Sequence, residues 1–160
     1  MDAVNIADTE RRLSLGDLDR SASFLLRIAQ LASYEAIFAL DPDMPLSLSE
    51  QTLLIAIDEN PDARQGTVAD LLHIKWSNMT KLVRGLEERG LLERVVPPDD
   101  RRSVLLRPTD EGKRMLEAVR LRQRARDENV LAMLSSAERQ QLVGLLRKVA
   151  GWPALPEHAQ

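Results

Sequence analysis

Apolar positions recur along this chain with a helical period over most of its length. Between residues 17 and 40, Leu18, Ala22, Leu25, Ile28, Ala29, Ala32, Ile37 and Phe38 share a face, and Phe24, Leu26 and Leu31 widen the stripe. The stretch "DPDMP" ends this helix through two prolines. "SLSEQ" announces a second: Ser47 or Ser49 caps it, Glu50 and Gln51 stand at capping-box spacing, and Leu53, Leu54 and Ile57 face inward. A short third helix, from about residue 66 to 73, packs Val68, Leu71 and Leu72. In "KWSNMTKLVRGLEERG", Met79, Leu82, Val83 and Leu86 follow the i, i+3, i+4, i+7 rule, and Gly90 stops the helix. Apolar runs at 91–96 and 103–107 flank "PPDDRR" and predict a hairpin. Thr109 or Asp110 caps a helix from about 110 to 133, and Ser135 to Glu138 opens another from about 136 to 149. "GWPALPEHAQ" reads as a frayed tail.

The order helix, helix, short helix, helix, hairpin, helix, helix predicts a mainly α fold with a small β-hairpin wing. That is a winged helix-turn-helix flanked by N- and C-terminal helices. One chain, 1–160, then holds a DNA-binding region at 46–108 and dimerisation helices at 17–40 and 109–150. The helix before the ribbon is the one that lies in a major groove.

Charge changes this picture by its distribution. The net charge is −3, unfavourable for a nucleic-acid binder. Between Lys75 and Arg107, however, eight basic residues oppose five acidic ones, leaving that segment at +3 and the remainder at −6. With 44 % hydrophobic and 29 % charged residues, composition predicts a soluble globular protein. No apolar run approaches a membrane span of roughly 20 residues, so no membrane partner is expected. The first residues lack the zones of a signal peptide, and zero cysteines exclude disulfides and thiol chemistry. Both point to the cytoplasm.

If the four apolar positions of the fourth helix face inward, Ser77, Asn78, Thr80, Lys81 and Arg84 face outward. Short hydrogen-bonding groups near a helix start suit base edges, and asparagine pairs with adenine N6 and N7. Hydroxyls and cations hold phosphates. Any amphipathic helix has a polar outer face, but no acidic residue stands between Lys75 and Leu86. Trp76 either touches a thymine methyl or sugar, or packs on the third helix, and packing is favoured. His73 is more readily a satisfied interior or interface histidine than a ligand or metal group.

The segment "LVRGLEERGLLERVVPPDDRRSVLLRPTDEG" closely resembles the signature of MarR-family transcriptional regulators. It matches at Leu86, Glu87, Gly90, Leu91, Arg94, Asp100, Arg101, Arg102, Leu106, Thr109, Glu111 and Gly112. Lys75 and Trp76 depart from it, standing where the family often has a small capping residue and a polar or basic one. The resemblance implies a regulator of double-stranded DNA, most often a repressor released from a pseudo-palindromic operator by a small aromatic or anionic effector. It implies a homodimer built on the terminal helices. In the wing, Arg101 is the candidate for insertion into a narrow minor groove, while Asp100 and Arg102 hold the turn. Arg27, Tyr34 and His73 are candidate pocket residues for the effector.

Two other functions compete. A winged-helix protein-interaction module would share the fold without binding DNA. An enzyme or metalloprotein is poorly supported. The chain has two histidines, His73 and His158, and shows no glycine-rich phosphate loop, nucleophile elbow or metal-ligand spacing. No cofactor and no metal site is expected.

Overall fold

The computed structural model describes residues 15–40, 43–98 and 104–152, without the side chains of 36–40. The wing-tip candidates Asp100, Arg101 and Arg102 lie outside the described residues. So do the side chains of Ile37 and Phe38 and the tail from Pro153, including His158. The chain divides into two compact units, Met1–Leu40 and Asp41–Gln160.

The first unit holds a 3-10 turn, Gly16–Arg20, and the helix α1, Ala22–Leu40. The sequence pattern predicts one helix from residue 17, whereas the backbone breaks at Ser21, which is extended (φ −79°, ψ 111°). Its hydroxyl accepts from the Phe24 N–H at 3.4 Å, so a serine that the apolar stripe runs past acts as a cap. None of the described side chains on α1 is buried.

In the second unit, Ser47 rather than Ser49 caps α2 (Leu48–Glu59), in a full capping box with Glu50. Helix α3 (Gln65–Leu71) is shorter than expected. It ends in a left-handed residue, His73 (φ 51°), whose N–H reaches Asp70 O while that of Ile74 reaches Ala69 O. This is the Schellman arrangement, with histidine where glycine is usual. Gly90 (φ 67°) ends α4 (Trp76–Glu88) the same way. Val68 is buried in the core, but Leu71, expected inside, is 44 % exposed at the last position of α3, whose buried face is Gln65, Val68 and Ala69.

Strands β1 (Leu92–Val95) and β2 (Leu105–Pro108) pair antiparallel, Leu92 opposite Pro108 and Val95 opposite Leu105. A bridge between Arg64 and Leu105 ties the start of α3 to the hairpin. The core is Leu53, Leu54 and Ile57 of α2, Val68 and Ala69 of α3, Met79, Val83 and Leu86 of α4, and Leu91, Leu92 and Leu106 of the hairpin region. Leu116 and Val119 of α5 (Asp110–Val130) complete it. Each such large side chain contributes about 1.5–3 kcal/mol by leaving water. Leu116 and Val119 are thus covered within their own unit, although their place in the closing helices suggests residues that need a partner subunit. Helix α6 (Ser136–Val149) buries no residue, and Leu145, Leu146 and Val149 stand exposed.

One joint accounts for much of the sequence signature. The Thr109 hydroxyl donates to Gly90 O at 2.6 Å and accepts from Gly112 N–H at 3.0 Å, and the Thr109 N–H reaches Leu91 O at 3.2 Å. A Cβ on Gly112 would lie 2.0 Å from Leu91 O. The end of α4 is thus clamped directly onto the start of α5.

Candidate nucleic-acid interface

Helix α4 points one apolar face inward, with Met79, Val83 and Leu86 fully buried and Leu82 partly so. This fixes what faces out. Trp76, Ser77, Asn78, Thr80, Lys81 and Arg84 are all exposed. Trp76, favoured above as a packing residue, is 61 % exposed. A Cβ on Gly66 would still meet its ring edge at 4.0 Å, so the indole leans along α3 while presenting most of its surface. Lys75 is the N-cap and provides no side-chain cap. A cation there opposes the helix dipole by about 0.3–1 kcal/mol, which an approaching anion relieves.

The outward groups differ in how far they are already engaged. The Thr80 hydroxyl donates to Trp76 O at 3.0 Å. Arg84 Nε donates to Glu88 at 2.7 Å, and that hydrogen bond with the Glu88 charge pushes the guanidinium pKa further above its already high ordinary value. The other described arginines of the basic segment are paired too: Arg89 with Glu50 at 3.2 Å, Arg94 with Glu87 at 3.0 Å, and Arg107 Nε with Asp62 at 2.9 Å. Among the described residues, Ser77, Asn78, Lys75 and Lys81 make no such side-chain contact. Each described arginine of the basic segment is thus matched by a carboxylate, and among the described residues Lys75 and Lys81 are the unmatched cations near α4.

A shallow concavity of about 540 Å³ opens beside this face, lined by Ser49, His73, Ile74, Lys75, Asn78, Lys81 and Leu82. In the sequence pattern Ser49 has at most a capping role, and Lys75 stands as one of the eight basic residues and as a departure from the family signature. Because Ser47 takes the capping box with Glu50, the Ser49 hydroxyl is left exposed at this concavity. His73, expected to be a satisfied interior or interface histidine, is exposed on the turn between α3 and α4, which removes the interior alternative. Of the other pocket candidates, Arg27 and Tyr34 lie exposed on α1 in the first unit, and the Tyr34 hydroxyl accepts from Gln30 at 3.2 Å. Among the described residues, no three His, Cys, Asp or Glu side chains group to hold a metal, and no helix is long and apolar enough to cross a membrane.

A short helix, a tight turn, a second helix with a polar outer face and a two-stranded ribbon behind it define a winged helix-turn-helix protein. Residues 46–104 match the family model described as MarR family. A Thauera aromatica protein named as a transcriptional regulator for the hcr operon is 35 % identical over 97 residues, 61 % of this chain and 58 % of its own length. The match thus spans less than two thirds of that relative. The transcriptional repressor CouR bound to a 23-mer DNA duplex is 29 % identical with a TM-score of 0.81, over 86 % of this chain and 98 % of that one. CouR from Rhodococcus jostii RHA1 bound to p-coumaroyl-CoA is 26 % identical with a TM-score of 0.74, over 88 % of this chain and 98 % of that one. The chain belongs to the MarR family of winged-helix transcriptional regulators, which are DNA-binding proteins and not enzymes.

Proposed function

We propose that this chain binds a pseudo-palindromic operator as a homodimer in the cytoplasm, and represses until a small aromatic or anionic ligand releases it. The observation that carries this is the outward face of α4. Ser77, Asn78 and Lys81 stand exposed and uncommitted there, with no acidic residue from Lys75 to Leu86. Asn78 reads a base edge, and the Trp76 ring meets a thymine methyl or sugar. Ser77, Thr80, Lys81 and Lys75 hold phosphates. Arg84 exchanges Glu88 for a phosphate, at little cost because an exposed ion pair is worth about 0–1 kcal/mol. In the wing, Arg101 enters the minor groove while Asp100 and Arg102 hold the turn.

The exposed apolar residues of α1 (Leu25, Ile28, Leu31) and α6 (Leu145, Leu146, Val149) support a twofold interface made by the terminal helices. CouR, with one structure on DNA and another on p-coumaroyl-CoA, supports a ligand-controlled version of the same device. Arg27 and Tyr34 offer a cation and a phenol to such a ligand. An anion near His73 would occupy ground shared with Asn78 and Lys81. A ligand acts here only through its differential affinity for the DNA-competent arrangement.

The test is binding to duplex DNA from the protein's own upstream region, repeated with aromatic acids and their thioesters. Affinity falls steeply between roughly 50 and 200 mM salt, and at least one compound releases the duplex. A protein-interaction module would bind no such DNA at any salt.

A further inference from the structure

Among the described residues, Arg126 of α5 is the one charged side chain that is buried, at 5 % exposure. Its Nη1 donates to Gln51 Oε1 at 2.9 Å, and Gln51 Nε2 donates to Leu46 O at 2.8 Å. A buried guanidinium carries a heavy desolvation penalty, and an apolar pair of similar volume is often as stable or more so. Stability alone therefore does not explain this pair. Directed hydrogen bonds allow one arrangement, where packed methyl and methylene groups slide.

The location gives that arrangement a use. Gln51 sits one residue from Glu50, which closes the Ser47 capping box and accepts from Arg89 at the end of α4. Arg89 also donates to Pro45 O at 2.7 Å. The corner at 45–51 thus receives α5 on one side and the reading helix on the other.

We propose that Arg126 and Gln51 are positioning residues that fix the angle between α5 and the reading head, and so the separation of the two α4 helices across the dimer. The inference rests on the dimer reading above. The chain has no cysteine, so Ser77→Cys gives one spin label per subunit. Pulsed electron paramagnetic resonance then measures the distribution of distances between the two labels. In the Gln51→Leu, Arg126→Met double variant the distribution should be at least twice as wide as in the parent, with cooperative unfolding at no lower temperature. Arg126→Lys, which keeps the charge but lacks the planar fork, should also widen it. Unchanged widths in both would overturn the proposal. So would a double variant that loses cooperative unfolding, since the pair would then be a stability element. A parent protein giving no distance between subunits would overturn the dimer reading, and this inference with it.

Discussion

At the scale of single residues, the joint between α4 and α5 turns on two glycines, Gly90 with its left-handed backbone and Gly112 packed against Leu91 O. Gly90 was readable as a helix stop because a left-handed residue is needed there. Gly112 was recognisable only as part of a signature. Its physical reason, a Cβ that would lie 2.0 Å from Leu91 O, joins residues that no local pattern connects. Gly112→Ala should therefore destabilise the protein by on the order of 1–3 kcal/mol, read from the urea midpoint at constant slope. A midpoint within error of the parent would mean the joint has room that the geometry denies it. Trp76 illustrates the opposite failure. An aromatic at a helix start suggests packing, yet the ring is mostly exposed, although its edge comes within reach of Gly66 on α3. Arg126 shows a different gap: its spacing, seven residues after Val119, puts it on the buried face of α5, but nothing in the sequence says that Gln51 meets it there. For reading specificity, Asn78→Ala should lower affinity for the operator by roughly 1–3 kcal/mol while leaving random-sequence binding nearly unchanged. Equal losses on both duplexes would make Asn78 a phosphate-positioning residue.

At the scale of elements, caps and periodicity placed the helices well. The helix expected from about 136 to 149 is found at Ser136–Val149, and the Ser135 to Glu138 capping box is formed. The longest error was the first helix, where the apolar stripe continues across Ser21 although the backbone does not. Periodicity reports which faces are apolar and is blind to a side-chain cap inside the run. The capping box of α6 has a pH signature. Hydrogen bonds from the Ser135 hydroxyl and N–H hold the Glu138 carboxyl below its ordinary value. A depressed carboxyl stabilises the fold above the unfolded-state pKa, about 4.3 for glutamate, and loses that contribution as pH falls through the lower folded value. Glu138→Gln should thus reduce thermal stability at neutral pH and flatten its fall on acidification. Parallel curves for parent and variant down to pH ~3 would remove Glu138 from the acid response.

At the scale of the whole molecule, the fold was legible because order and spacing of elements are properties of the sequence. The electrostatics were less so. Eight basic residues between Lys75 and Arg107 suggest a broad positive surface, yet Arg84, Arg89, Arg94 and Arg107 are each held by a carboxylate. Charge counts cannot anticipate this, since Glu50 and Asp62 arrive from distant parts of the chain. Among the described residues of this face, Lys75 and Lys81 are the cations that meet phosphate without first giving up a carboxylate, and each occurs twice in the proposed dimer. The most direct test is the slope of log affinity against log salt for the protein's own upstream duplex, compared between the parent and a Lys75→Gln, Lys81→Gln variant. Each phosphate contact contributes about −0.9 to that slope, so the variant's slope should be shallower by roughly 3–4. An unchanged slope, or a parent that binds no such DNA at any salt, would contradict the claim that this face of α4 grips a duplex.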